Sequence, residues 1–104
     1  MGRERASALR SSHQVLLCHL LNWQHRPALR SQSGRNTIRR ERRNIETRLE
    51  DSPGFTPWRA DLYARAYRLA RADAVDETDP PPATLPPECP WRLTQAVDEE
   101  FWPA

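Results

Sequence analysis

The stretch Val15-Leu16-Leu17-Cys18-His19-Leu20-Leu21-Asn22-Trp23-Gln24-His25-Arg26-Pro27 decides how this chain folds. Counting Cys18 and Pro27, eight of its thirteen residues are apolar. Leu9, Leu16, Leu20 and Trp23 fall at spacings of seven, four and three, and Leu17 and Leu21 widen the stripe. That rhythm predicts a helix from about Arg3 to Gln24 with a broad buried side. Pro27 ends it, because proline has no amide hydrogen and clashes with the preceding turn.

Two further helices are read outward from this one. A second is expected over Ser33–Glu50, with Ser33 as its N-cap and Ile38, Ile45 and Leu49 on its buried side. Asp51-Ser52-Pro53-Gly54 closes it. A third is expected over Pro57–Val75, entered through Thr56-Pro57 and burying Leu62, Ala66, Leu69 and Ala70, with Tyr63 and Tyr67 at its edge. Six prolines between positions 80 and 90 exclude helix and favour an extended strap. A short last helix, Leu93–Glu100, presents Leu93, Val97 and Phe101 and must dock to be stable. Trp91, Phe101 and Trp102 are its expected anchors, since large aromatic side chains bury much area. The expected fold is therefore all-α. It is a three-helix bundle in one domain, with a helical core over 1–79 and a proline-rich strap and C-terminal helix over 80–104.

The chain has 104 residues, a net charge of +2 and sixteen basic residues, all arginine. Residues 1–50 hold eleven arginines against four acids (+7), and residues 51–104 hold five against ten (−5). The basic half raises the question of nucleic acid. Arg35, Arg39, Arg40 and Arg43 occupy one broad side of the second helix and form the candidate anion or nucleic-acid face. Against that, Arg42 and Arg43 each lie within pairing distance of Glu46 along the helix, and the acidic half offers more partners. Solvated or intramolecular charge is the preferred reading.

Catalytic patterns are absent. The histidines at 13, 19 and 25 are six apart, a step that does not share a helical face, so no metal site is expected. Cys18 lies in the apolar run and Cys89 beside Glu88, both settings that disfavour a thiolate. Three glycines leave no phosphate loop. His19, Trp23 and Arg26 share a face. They are expected to stack at the helix end while Gln24 and His25 bond to loop backbone, the alternative being a small polar ligand pocket. No stretch is long and apolar enough for a membrane span, and two cysteines without a secretory signal point to the cytoplasm.

The ridge Leu16-Leu17-Cys18-His19-Leu20-Leu21-Asn22-Trp23-Gln24 with Pro27, the run Thr37-Ile38 with Ile45 and Ser52-Pro53, and the ending Pro87-Glu88-Cys89-Pro90-Trp91 with Phe101-Trp102-Pro103 occur in that order. Together they resemble the bacterial domain-of-unknown-function family 29, small helical proteins. The resemblance implies an all-α fold and carries no activity, cofactor or catalytic residue. His19, Trp23, Gln24 and Pro27 match its characteristic block, and Cys89, Pro90 and Trp91 its terminal block. Gly34 departs from it, standing where members often carry tryptophan. Met1-Gly2-Arg3 resembles an internal point of the pattern, which implies a late start or a fragment and, with it, exposed apolar surface and self-association. The functional expectation is a non-enzymatic interaction module without cofactor, its partner an unknown protein or a second copy. An RNA- or DNA-associated protein using the arginine face is the alternative.

Overall fold

The computed structural model describes residues 2–77 and 85–104. Helix α1 spans Gly2–His25, α2 Gln32–Asp51, α3 Arg59–Glu77 and α4 Leu93–Ala96, with 3-10 turns at Pro27–Leu29 and Pro53–Trp58. The fold is an all-α bundle with no strand among the described residues. Short connections make α1 and α3 run the same way, with α2 opposed. Gln14 on α1 reaches Asp73 on α3, and Arg48 on α2 reaches Ser12 on α1.

α1 is the shared spine. It packs extensively on both α2 and α3, which scarcely touch each other. Its sequence explains this: Leu9, Ser12, His13, Leu16, Leu17, Leu20 and Leu21 are all buried, a stripe wide enough to serve two neighbours. A fully buried leucine contributes about 1.5–3 kcal/mol, so this one helix supplies the largest share of the core. α2 buries a narrower line, Ile38, Glu41, Arg42 and Ile45. The tail, residues 85–104, is tied to both α2 and α3 and bridges the two helices that do not meet.

Several expectations are corrected. The cap of α2 is Ser31, whose Oγ accepts the Gly34 amide at 3.0 Å, and Ser33 lies within the first turn. α3 begins at Arg59 because Pro53 and Pro57 hold the preceding residues in a 3-10 turn, closed by the Phe55 amide on the Ser52 carbonyl. Tyr63 and Tyr67 are buried rather than at the edge, since each hydroxyl finds a carbonyl acceptor. Leu69 is 39% exposed, because Tyr63, Ala66, Tyr67, Ala70 and Ala74 form the inner face instead. The last helix is one turn long. Beyond it, Asp98 Oδ1 accepts the Glu100 amide at 2.9 Å and turns the chain away. Trp91 is buried, and Phe101 and Trp102 pack on the core as expected. Of the strap, positions 80–84 lie outside the described residues. From Leu85 onward it runs across α3.

Candidate functional site

The family block lies at the C-terminal end of α1, and only part of it converges. His19 spends its Nδ1 on the Val15 carbonyl of its own helix at 2.9 Å. Trp23 stacks on Trp102 from the tail, ring centres 4.9 Å apart and tilted by 48°, rather than on His19 or Arg26. His19, Asn22, Trp23, Arg30, Ser31 and Gly34 line a small cavity of about 220 Å³. Gln24 is half-buried, whereas Pro27 is exposed and starts the 3-10 turn. The expected loop bond of His25 is not made, as its buried Nε2 has no partner.

The arginine face of α2 does not act as one free surface. The Arg35 guanidinium lies 5.5 Å over Trp23, beside that of Arg30 at 5.1 Å, and Arg39 lies 5.8 Å over Trp102. These cations hold the paired indoles from the solvent side. Arg40 pairs with Glu41 at 3.5 Å, the one ion pair among the described residues, so neither Arg42 nor Arg43 pairs with Glu46. Arg43 stays exposed.

Arg42 explains why. It is buried, its Nε donates to the Ala96 carbonyl at 2.9 Å, and a terminal nitrogen donates to the Phe101 carbonyl at 2.7 Å. Its guanidinium also lies 5.3 Å over Trp102. Burial weakens its hold on the proton, and nearby Asp98 and Glu99 act the other way. On α3 the same work is done at four-residue spacing by Tyr63, Tyr67 and Arg71. Tyr63 donates to the Trp91 carbonyl at 2.9 Å, Tyr67 to that of Pro86 at 2.6 Å, and Arg71 Nε to the same oxygen at 3.0 Å. Burial raises both phenols, Tyr67 up to about 12.

Cys89 sits in this clamp with its sulfur 3.2 Å from the Tyr63 hydroxyl and 3.3 Å from the Trp91 carbonyl. Burial is the main influence pushing its thiol up, with the Tyr63 contact opposing, so the expected role of Glu88 is replaced by desolvation. His13 is wholly buried. Its Nδ1 bonds to the Leu9 carbonyl at 3.0 Å, Nε2 has no partner, and its ring meets Tyr63 edge-on at 5.7 Å. Burial holds it neutral, lowering its pKa to about 4.

The outer seam between α1 and α3 is different. A groove of about 1130 Å³ runs there, lined by Arg3 and Arg10 from α1, Arg65 and Arg68 from α3, and Leu62 and Leu69 between them. No carboxylate lines it among the described residues. It continues through Ala6, Leu62 and Arg65 into a second hollow of about 330 Å³ walled by Phe55 and Trp58, whose indole is 61% exposed. Sequence reasoning missed both Arg42 and this groove. Arg42 carried a signal, since it falls four residues after Ile38 and three before Ile45, on the buried stripe. The groove carried none, because it is made by two helices distant in sequence.

No group of three or more potential metal-ligating side chains occurs among the described residues, and no helix among them is long and apolar enough to cross a membrane. The family model described as domain of unknown function DUF29 matches residues 1–102. Neither the curated proteins nor the solved structures contain a match to the chain.

Proposed function

The chain belongs to the DUF29 family, a domain of unknown function, and we propose that it is a non-enzymatic interaction module: a helical bundle that works by binding. One observation carries this reading. Several side chains able to serve as base, acid or nucleophile are committed to holding backbone. His13 and His19 bond to their own helix, and Tyr63, Tyr67 and Cys89 bond to the tail. Among the groups that face outward are arginines and the exposed Trp58, both suited to recognition.

The reading is tested by capture from a cell extract, with bound protein and bound nucleic acid both quantified. Three chains are compared: wild type, a His19→Ala/Cys89→Ala variant, and a Trp58→Ala/Arg65→Gln variant. A binding module keeps its bound set when the reactive residues are removed and loses it when the surface is changed. The reverse pattern overturns it. Nucleic-acid association is the second reading, and the acid-free groove favours it. What supports the seam between α1 and α3 over the α2 face for this reading is that Arg35 and Arg39 cover indoles.

A further inference from the structure

We propose that the α1–α3 groove binds single-stranded nucleic acid, with backbone phosphates on Arg3, Arg10, Arg65 and Arg68 and a base stacked on Trp58. The inference rests on the binding-module reading and names the partner.

Four features point to this occupant. Arg3 and Arg10 are seven residues apart on α1, about 10 Å along its axis, and Arg65 and Arg68 face them across the groove. Charge spread along a channel suits a linear polyanion, whereas one small anion would satisfy only part of it. Secondly, Arg3, Arg65 and Arg68 are exposed and in no ion pair among the described residues, so binding displaces only solvent and counterions. Arg10 is pre-positioned, donating to Gln14 Oε1 at 2.7 Å while Gln14 donates to Asp73 Oδ2 at 2.7 Å. Thirdly, Trp58 presents an indole face next to the arginines, and a basic track with an aromatic platform is how single strands are held without sequence preference. Asp61 is the one carboxylate lining that end, beside Trp58 and Arg65, and it forms no ion pair among the described residues. Lastly, the arginines line a concave seam between two packed helices, whose axes lie about 8–10 Å apart. A duplex is too wide to enter it, and duplex readers instead offer a convex helix to the major groove. Guanidinium groups pair bidentately with phosphate and carboxylate alike, but only a nucleic acid also supplies bases to stack on them and on Trp58, which favours it over an acidic peptide.

The test is fluorescence anisotropy with the full chain, labelled oligo-dT and oligo-U of roughly ten nucleotides, and a series of salt concentrations. Each phosphate contact on a single strand adds about 0.7 to the log–log salt slope, so Arg65→Gln/Arg68→Gln should lower it by about 1.4. Trp58→Ala should weaken binding roughly five- to hundredfold, and Trp58→Phe should recover most of that. Arg40→Gln/Arg43→Gln, on the opposite helix, should leave affinity unchanged. Circular dichroism of each variant confirms that these surface changes leave the fold intact.

Several results overturn the proposal: no binding at low salt, loss through Arg40 and Arg43 instead of the groove, polyglutamate bound as tightly as oligo-dT, or duplex bound equally without dependence on Trp58. A surface-dependent protein partner in the capture experiment, with no oligonucleotide binding, removes this inference while the module reading stands.

Discussion

The arginines that face the tail and those that line the α1–α3 groove carry the same charge and meet opposite surroundings. Arg42 is 3% exposed and gives two nitrogens to carbonyls that no helix satisfies, and Arg71 likewise donates to Pro86 and Leu85. Arg3, Arg65 and Arg68 lie in solvent. On the tail side the rigid fork of guanidinium donors substitutes for secondary structure, fastening an irregular segment to α2 and α3. On the groove side Arg3, Arg65 and Arg68 make no ion pair among the described residues, and only Arg10 is tied in, through Gln14. Composition alone treats all sixteen as one population, whereas burial and hydrogen bonding set Arg42 and Arg71 apart from Arg3, Arg65 and Arg68.

The largest expected effect lies on the fastener side. Arg42→Ala removes two charged hydrogen bonds and leaves the Ala96 and Phe101 carbonyls without their donor. Each such bond contributes about 1.5 kcal/mol or more, so the loss should be about 3 kcal/mol in urea unfolding. Arg42→Lys should recover less than half, because one ammonium cannot span two acceptors in the same geometry. Full recovery by lysine would break the comparison, since charge alone would then suffice.

Much of this division was hidden in the sequence for definable reasons. α1 was legible because its leucine stripe repeats at helical spacing over several turns. The ends of the other helices were not. Ser31 and Ser33 are both good caps two residues apart, and only the Gly34 amide decides between them. On α3, Ala66 and Ala70 are buried as expected, and the choice lies between flanking them with Leu62 and Leu69 or, about 100° round the helix, with Tyr63 and Tyr67. Leucine hydrophobicity favoured the first, whereas the tail's free carbonyls selected the second by pairing with the tyrosine hydroxyls. Of the candidate site, His19 and Trp23 do meet at one cavity, yet the partner that covers Trp23 is Trp102, a contact no local pattern encodes.

A second way to sharpen the comparison is pH, through His13, whose ring bears on the same Tyr63 that holds Trp91. Its folded pKa is about 4 against 6.5 for the free side chain. Between those values the unfolded chain binds more protons than the folded one, so stability falls as pH drops from 6.5 towards 4. The loss should reach about 2 kcal/mol by pH 5, at 1.36 kcal/mol per unit, and His13→Gln should flatten the curve above pH 5. An unchanged unfolding midpoint between pH 7 and 5 in wild type would show that His13 has an exit to solvent.

The smallest expected effect on stability lies in the groove, and its sign is informative. Arg65→Gln/Arg68→Gln deletes two exposed cations from a seam lined by four, with no carboxylate among the described lining residues. Such surface changes are usually worth no more than about 0.5 kcal/mol. Because the four positive groups repel one another, the change should be slightly stabilising. Added salt screens that repulsion over about 10 Å at 0.1 M, so it should stabilise wild type more than the variant and close the gap between them. A loss as large as that of Arg42→Ala would place these guanidinium groups among the fasteners and remove the reason for treating the groove as a surface kept for a partner. A small gain that vanishes in salt, together with weakened oligonucleotide binding, is what separates a contact arginine from a structural one.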